Sequence, residues 1–155
     1  MGMDVFGKAP RSEKGEYFRN NVWYWHPLWC YCEEIAPDIA GLVEYGHSND
    51  GDGLDDAEAV ELAQRLQAAL DAGATAQYAA ERQSALAALP GEVCSICGGT
   101  GSRQEPPLIG SGPIPCNGCN GTGQVRPWET NYPFDVANVR EFAEFLRDCG
   151  GFAIC

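Results

Sequence analysis

Cys94-Ser95-Ile96-Cys97-Gly98-Gly99-Thr100-Gly101 and Cys116-Asn117-Gly118-Cys119-Asn120-Gly121-Thr122-Gly123 are two copies of one pattern, a Cys-x-x-Cys followed by glycine at the same two offsets. Two residues between thiolates let both sulfurs of a knuckle reach one ion, and the small residues after them let backbone N–H groups turn back toward sulfur. The inner cysteines are separated by 18 residues, within the C-x2-C-x15–20-C-x2-C spacing of zinc sites. Disulfides are the alternative use of such cysteines, but doubled glycine-rich knuckles favour a metal. One zinc per chain is therefore expected, on Cys94, Cys97, Cys116 and Cys119, the four cysteines that pair at knuckle spacing.

The two runs resemble the cysteine-rich domain of DnaJ-type co-chaperones, whose repeat reads C-x-x-C-x-G-x-G, at every specified position. The resemblance covers only about residues 94–123 and two repeats, enough for one zinc, where that family has four repeats and two zincs. It implies a twisted, hairpin-like ribbon and a capacity to bind peptides. It does not imply stimulation of a chaperone ATPase. The J domain needs His-Pro-Asp between two helices, and the His-Pro of this chain is His26-Pro27-Leu28 in an aromatic-rich stretch. Two further segments, Gly15-Glu16-Tyr17-Phe18-Arg19-Asn20-Asn21-Val22-Trp23 and Asn131-Tyr132-Pro133-Phe134, resemble a group of small uncharacterised bacterial and phage proteins; that likeness implies no activity.

Outside the ribbon, the pattern predicts an α+β, mainly helical body. Pro27 suits the first turn of a helix carrying Leu28, Tyr31, Cys32 and Ile35 on one face, ended or kinked by Pro37. Asp55 and Glu58 form a capping-box pair ahead of Leu62, Leu66, Ala69 and Leu70, and Gly73 closes that helix. Thr75 then caps an alanine-rich helix stopped by Pro90-Gly91. Asp135 caps a last helix with Val136, Val139, Phe142, Phe145 and Leu146 on one face, ended by Gly150-Gly151. Phe152-Ala153-Ile154 is read as a short strand pairing with residues 3–6. The expected organisation is 1–91 for the aromatic-rich segment and first helices, 92–126 for an inserted one-zinc ribbon hairpin with an exposed tip from Glu105 to Pro115, and 127–155 for the helix and strand that complete the body.

Charge and length narrow the function classes. With 22 acidic against 10 basic residues, the net charge is −12. Four thiolates on one zinc make it about two charges more negative. Such a field repels phosphate backbones, so nucleic acid is not expected as a partner. No apolar run approaches the 18 or so residues of a bilayer span and no charged-then-apolar leader opens the chain. The expectation is a cytoplasmic protein without a membrane partner, and thiolate metal sites fit a reducing compartment.

Two stretches carry candidate ligand chemistry. In an extended chain, Tyr17, Arg19, Asn21, Trp23 and Trp25 would share one face, with Trp23 and Trp25 able to stack on a flat ligand, although aromatics in such a run also make ordinary core. The turn Ser48-Asn49-Asp50-Gly51-Asp52-Gly53-Leu54-Asp55 fails an EF-hand register at three positions and reads as a polar binding loop. Trp23, Trp25, His26, His47, Asn49, Asp50 and Asp52 are thus the candidate ligand-binding residues, expected as walls of one cleft. A second four-sulfur site on Cys30, Cys32, Cys149 and Cys155 is disfavoured by the spacing of the first two. All-thiolate ligation leaves no open metal position, so the leading reading is a non-catalytic binding protein for a small ligand or protein partner. The alternatives are a small hydrolase or transferase using His26 or His47 with Asp50 or Asp52, and a client-binding or assembly factor, including phage–host interaction. No serine elbow, phosphate loop or H-E-x-x-H motif supports the enzyme.

Overall fold

The computed structural model describes residues 2–103 and 113–155. In chain order the elements are β1 (Gly2–Gly7), a 3-10 turn (Glu13–Gly15), β2 (Tyr17–Asn21), α1 (Val22–Ile35), α2 (Pro37–Ala40), α3 (Asp56–Asp71), α4 (Ala74–Ala88), β3 (Glu92–Val93), β4 (Ser102–Arg103), β5 (Ile114–Pro115), β6 (Gln124–Val125), a 3-10 turn (Trp128–Asn131), α5 (Val136–Asp148) and β7 (Phe152–Ile154). The chain divides into two units: a body of Met1–Ser84 with Tyr132–Cys155, and a ribbon unit of Ala85–Asn131. The fold is mainly helical α+β, as the pattern predicts.

The body rests on a three-stranded antiparallel sheet in the order β2-β1-β7. Val5 of the central strand faces Phe18 on one side and Ile154 on the other. Directly opposed residues share a face, so the buried Met3, Val5, Phe18 and Ile154 form one apolar surface while Phe6 and Tyr17 stand on the other. The predicted pairing of the two chain ends is therefore present, with β2 added to it.

α1 departs from the sequence expectation. It starts at Val22, not in the turn before Pro27, because Asn21 is an N-cap whose side chain accepts the Tyr24 N–H at 3.1 Å. Pro27 consequently lies inside the helix, where its missing N–H costs a backbone hydrogen bond. Burial outweighs that cost. Trp25, Leu28, Trp29 and Cys32 recur at helical spacing and are all buried, and the Trp25 and Trp29 rings stack at 5.7 Å with 12° between planes.

α3 and α5 complete the core with Ala59, Leu62, Ala63 and Leu66 on one helix and Val139, Phe142, Ala143, Phe145 and Leu146 on the other. Two of the three predicted caps form: Asp55 and Glu58 exchange side-chain and backbone bonds at 2.9 Å, and Asp135 accepts the Ala137 N–H at 2.8 Å. Gly150 ends α5 at φ +64, where a Cβ would stand 2.1 Å from the Ala9 carbonyl oxygen. Thr75 does not cap α4. It is a buried residue within that helix, its hydroxyl 2.9 Å from the Tyr31 hydroxyl. That pairing satisfies two polar groups which burial would otherwise strand.

The ribbon unit contains two short antiparallel ladders, β3 with β6 and β4 with β5. The expected tip lies largely outside the described residues, and its last two, Ile114 and Pro115, belong to β5. Among the described residues, no helix is long and apolar enough to cross a membrane.

Candidate metal centre

Each ladder of the ribbon leads into a knuckle. The Cys94 N–H donates to the Gly123 carbonyl at 3.0 Å and the Cys116 N–H to the Gly101 carbonyl at 2.8 Å, tying the two knuckles to each other. Within them the bonding is repeated. The Gly101 N–H points at Cys97 Sγ at 3.3 Å and the Gly123 N–H at Cys119 Sγ at 3.2 Å. The Thr100 and Thr122 hydroxyls donate to the carbonyls of Cys97 and Cys119 at 2.8 and 2.7 Å.

The final glycine of each motif has a physical reason. Gly101 and Gly123 adopt φ of +74 and +78, and a Cβ there would lie 2.4 Å from the Gly121 oxygen and 2.2 Å from the Gly99 oxygen. Neither the dihedral nor the space admits a side chain. At the residue after each second cysteine, Gly98 at φ +60 is matched by Asn120 at φ 51; Asn is among the few side chains that tolerate this region.

The four sulfurs converge as the spacing predicts. Their ligand atoms all lie within 4.8 Å of one another, with Cys94, Cys116 and Cys119 buried and Cys97 half-buried. Cys94 Sγ and Cys116 Sγ are 3.9 Å apart, and Cys97 Sγ and Cys119 Sγ 3.7 Å. A disulfide would need about 2.05 Å. A tetrahedron with zinc–sulfur bonds of about 2.3 Å has edges of about 3.8 Å, which the cage matches. Burial opposes ionisation of the Cys97 thiol, but the N–H groups of Gly101 and Gly99 outweigh it and bring that thiol down to about 6. Burial pushes Cys116 up. The site can hold a metal ion through four thiolates, with no coordination position left over.

The other candidate residues occupy the body. Tyr17, Arg19 and Asn21 lie on β2, whereas Trp23 and Trp25 lie on α1, where residues two apart diverge by about 200°. The single face expected of an extended chain therefore does not form. Trp25 is in the core, its indole N–H donating to the Gly46 carbonyl at 2.8 Å, and the half-buried Trp23 packs on Tyr132 with ring centroids 5.0 Å apart.

The polar turn spends much of its chemistry on holding itself. Asp52 accepts the N–H groups of Tyr45 at 3.0 Å and Gly53 at 2.8 Å, and Asp50 accepts the Ser48 hydroxyl. Asn49 donates to the Gly2 carbonyl at 3.0 Å, while the Gly51 N–H reaches the Ile154 carbonyl at 2.7 Å. The Tyr45 N–H, helped by that of Gly53, holds the Asp52 carboxyl below its ordinary range against a modest opposing effect of burial.

The aromatic helix and the turn nevertheless meet, through their histidines. His26 Nδ1 and His47 Nδ1 are 2.8 Å apart. On its other side, His47 Nε2 lies 3.4 Å from Glu33 Oε2 and 4.0 Å from Cys30 Sγ. Burial, then the neighbouring His47, lowers the pKa of His26. The bonds of His26 and His47 run to each other, to Glu33 and to Cys30, whereas those of Asp50 and Asp52 run to Ser48, Tyr45 and Gly53. Cys30 and Glu33 were not among the expected site residues. Their signal was present in the sequence, since His26, Cys30 and Glu33 fall at i, i+4 and i+7 of one helix, but it is visible only when the helix begins before Pro27. The four cysteines outside the ribbon do not assemble: Cys32 and Cys149 are buried and Cys30 and Cys155 exposed, and no metal-ligand group among the described residues unites them. Compared with protein-family models, curated proteins and solved structures, the chain matches none.

Proposed function

We propose that this chain is a non-catalytic binding protein in which one structural zinc holds the ribbon unit together, while an aromatic and Asn/Asp surface of the body recognises a small ligand or protein partner. The observation that carries the reading is the closed sulfur cage, whose separations of 3.9 and 3.7 Å fit one tetrahedral ion and leave no place for a substrate atom. Four thiolates select a soft or borderline ion, which favours zinc over calcium or magnesium. A protein or small-molecule partner would contact Trp23, His26, His47, Asn49 and Asp50, with the buried Trp25 holding Gly46 and Asp52 bracing the turn through the Tyr45 and Gly53 N–H groups. The acidic balance argues against nucleic acid, and thiolate ligation fits a reducing compartment such as the cytoplasm.

Native mass spectrometry with elemental analysis tests this. Retained zinc that disappears in Cys116→Ser supports the ribbon, and a discrete co-purifying partner lost in Asn49→Ala supports the binding surface. Protein prepared without chelator that holds no zinc contradicts the ribbon reading. A second reading rests on Val93, Ile96 and Ile114, apolar side chains left exposed on the ribbon. They suit client binding of the DnaJ-ribbon kind, and recovery of unfolded chains in place of one partner would favour it.

A further inference from the structure

We propose that Cys30, Glu33 and His47 form a second metal site, open at one coordination position and selective for a divalent first-row transition ion such as zinc or cobalt. It uses residues of the body alone and is independent of the ribbon reading.

The three donor atoms lie within 4.8 Å of one another. Around a tetrahedral zinc with ordinary bond lengths, an imidazole nitrogen and a carboxylate oxygen stand about 3.3 Å apart, and a nitrogen and a thiolate about 3.6 Å. The corresponding separations here are 3.4 Å from His47 Nε2 to Glu33 Oε2 and 4.0 Å from His47 Nε2 to Cys30 Sγ. Small rotations of two exposed side chains close the difference. An exposed Glu–His pair is worth only about 0–1 kcal/mol as a salt bridge, so such a pair gives little reason to hold a thiol beside it.

The fold positions each donor. Cys30 and Glu33 are one turn apart on α1 and project from the same face. His47 is fixed from the other side, since the preceding Gly46 accepts the Trp25 indole N–H at 2.8 Å. That close approach requires glycine: a Cβ at position 46 would lie 2.1 Å from Trp29 Nε1. His26 supplies the remaining feature. A ligating histidine usually gives its other ring N–H to an acceptor, which fixes its tautomer and ring orientation. With Nε2 on the ion, His47 donates from Nδ1 to His26 Nδ1 across 2.8 Å. His26 is thus a positioning residue and Cys30, Glu33 and His47 are the ligands.

The donor set defines the ion. Thiolate, imidazole and carboxylate together suit zinc and its first-row neighbours, whereas calcium and magnesium require oxygen. Three protein ligands leave the fourth position to water or to an atom of a bound partner, unlike the closed sulfur cage.

The test is a cobalt titration of the full chain, kept reduced, with the ribbon metal in place and weakly held ions first removed by a mild chelator. One additional cobalt per chain is expected, with a thiolate-to-cobalt charge-transfer band. Cys30→Ser should abolish that band, and His47→Ala should weaken binding at least 100-fold. His26→Ala should weaken it about 10–100-fold while keeping the band. Cys155→Ser, the change of another exposed thiol, should alter neither. Circular dichroism confirms that each variant is folded. No cobalt beyond the ribbon metal, cobalt without the band, or a band that survives in Cys30→Ser overturns the site; the last would place cobalt in the sulfur cage by exchange.

Discussion

The body and the ribbon unit are held together by different means. The body buries a continuous cluster from Met3 to Ile154, including Trp25, Trp29, Phe142, Phe145 and Phe152. The ribbon's buried cluster is Cys94, Cys116 and Cys119, with Cys97 and Val125 packed against it. In the first, apolar area removed from water supplies the driving force at about 25 cal/mol per Å². In the second the side chains that would form a core are the four cysteines of the proposed zinc site, and an ion held there would supply what area cannot. With zinc bound as proposed, one chain would contain a unit that folds by burial and a unit that folds by coordination, and perturbations should separate them.

Metal removal should separate them most. Structural zinc contributes an apparent 10–16 kcal/mol or so to small thiolate sites, far more than the ribbon's apolar contacts. After strong chelation, or in Cys116→Ser, amides of residues 92–103 and 114–125 should lose hydrogen-exchange protection while α3 and α5 keep theirs. Uniform loss through α5 would erase the distinction. Trp25→Ala is the reverse experiment. Truncating a fully buried tryptophan should cost the body about 3–5 kcal/mol in denaturant unfolding, with the ribbon's metal content unchanged. Gly123→Ala should act within the ribbon alone, since the new Cβ would meet the Gly99 oxygen at 2.2 Å. Metal competition with a chromophoric chelator should show it giving up its ion more readily.

A smaller effect tests a buried polar contact. Thr75→Val keeps the shape of the side chain but strands the Tyr31 hydroxyl, whose partner lies at 2.9 Å. A loss of about 1–3 kcal/mol in body stability is expected, and an unchanged unfolding curve would mean that Tyr31 finds another partner.

What could be read from the sequence follows the same division. The knuckles were legible because coordination fixes residue type and spacing locally, and the cage assembled from the four cysteines they name. The Asp55–Glu58 and Asp135 caps were legible because a cap and its helix are adjacent in sequence. The start of α1 was not. Tyr17 through Trp25 alternates like a strand, and the strand is real as far as Asn21, where one amide side chain caps a helix instead. That one misreading put Trp25 on a ligand-facing surface and hid the alignment of His26, Cys30 and Glu33. Thr75 looked like a cap because its true partner, Tyr31, is 44 positions away. The His26–His47 contact spans 21 positions and depends on how the turn folds back, which periodicity does not encode.

The smallest expected effect concerns that turn. Asp52 holds the N–H groups of Tyr45 and Gly53, and the carboxyl is lowered mainly by the Tyr45 bond. A group whose folded-state pKa lies below its unfolded value adds stability above the unfolded value and loses it as pH falls through the folded one. The unfolded value is about 3.9, so the contribution is complete at neutral pH and fades in more acidic solution. The carboxylate is partly exposed, and solvent screening keeps the effect to about 1 kcal/mol or less. Asp52→Asn can accept one N–H but carries no charge, so its stability should fall below that of the parent near pH 7 and converge with it in acid, once the folded-state carboxyl is protonated. Exchange of the Tyr45 amide across that range reads the effect locally. If parent and variant differ equally at both ends of the range, the turn is held by its backbone bonds to β7 and the charge of Asp52 contributes nothing to placing His47.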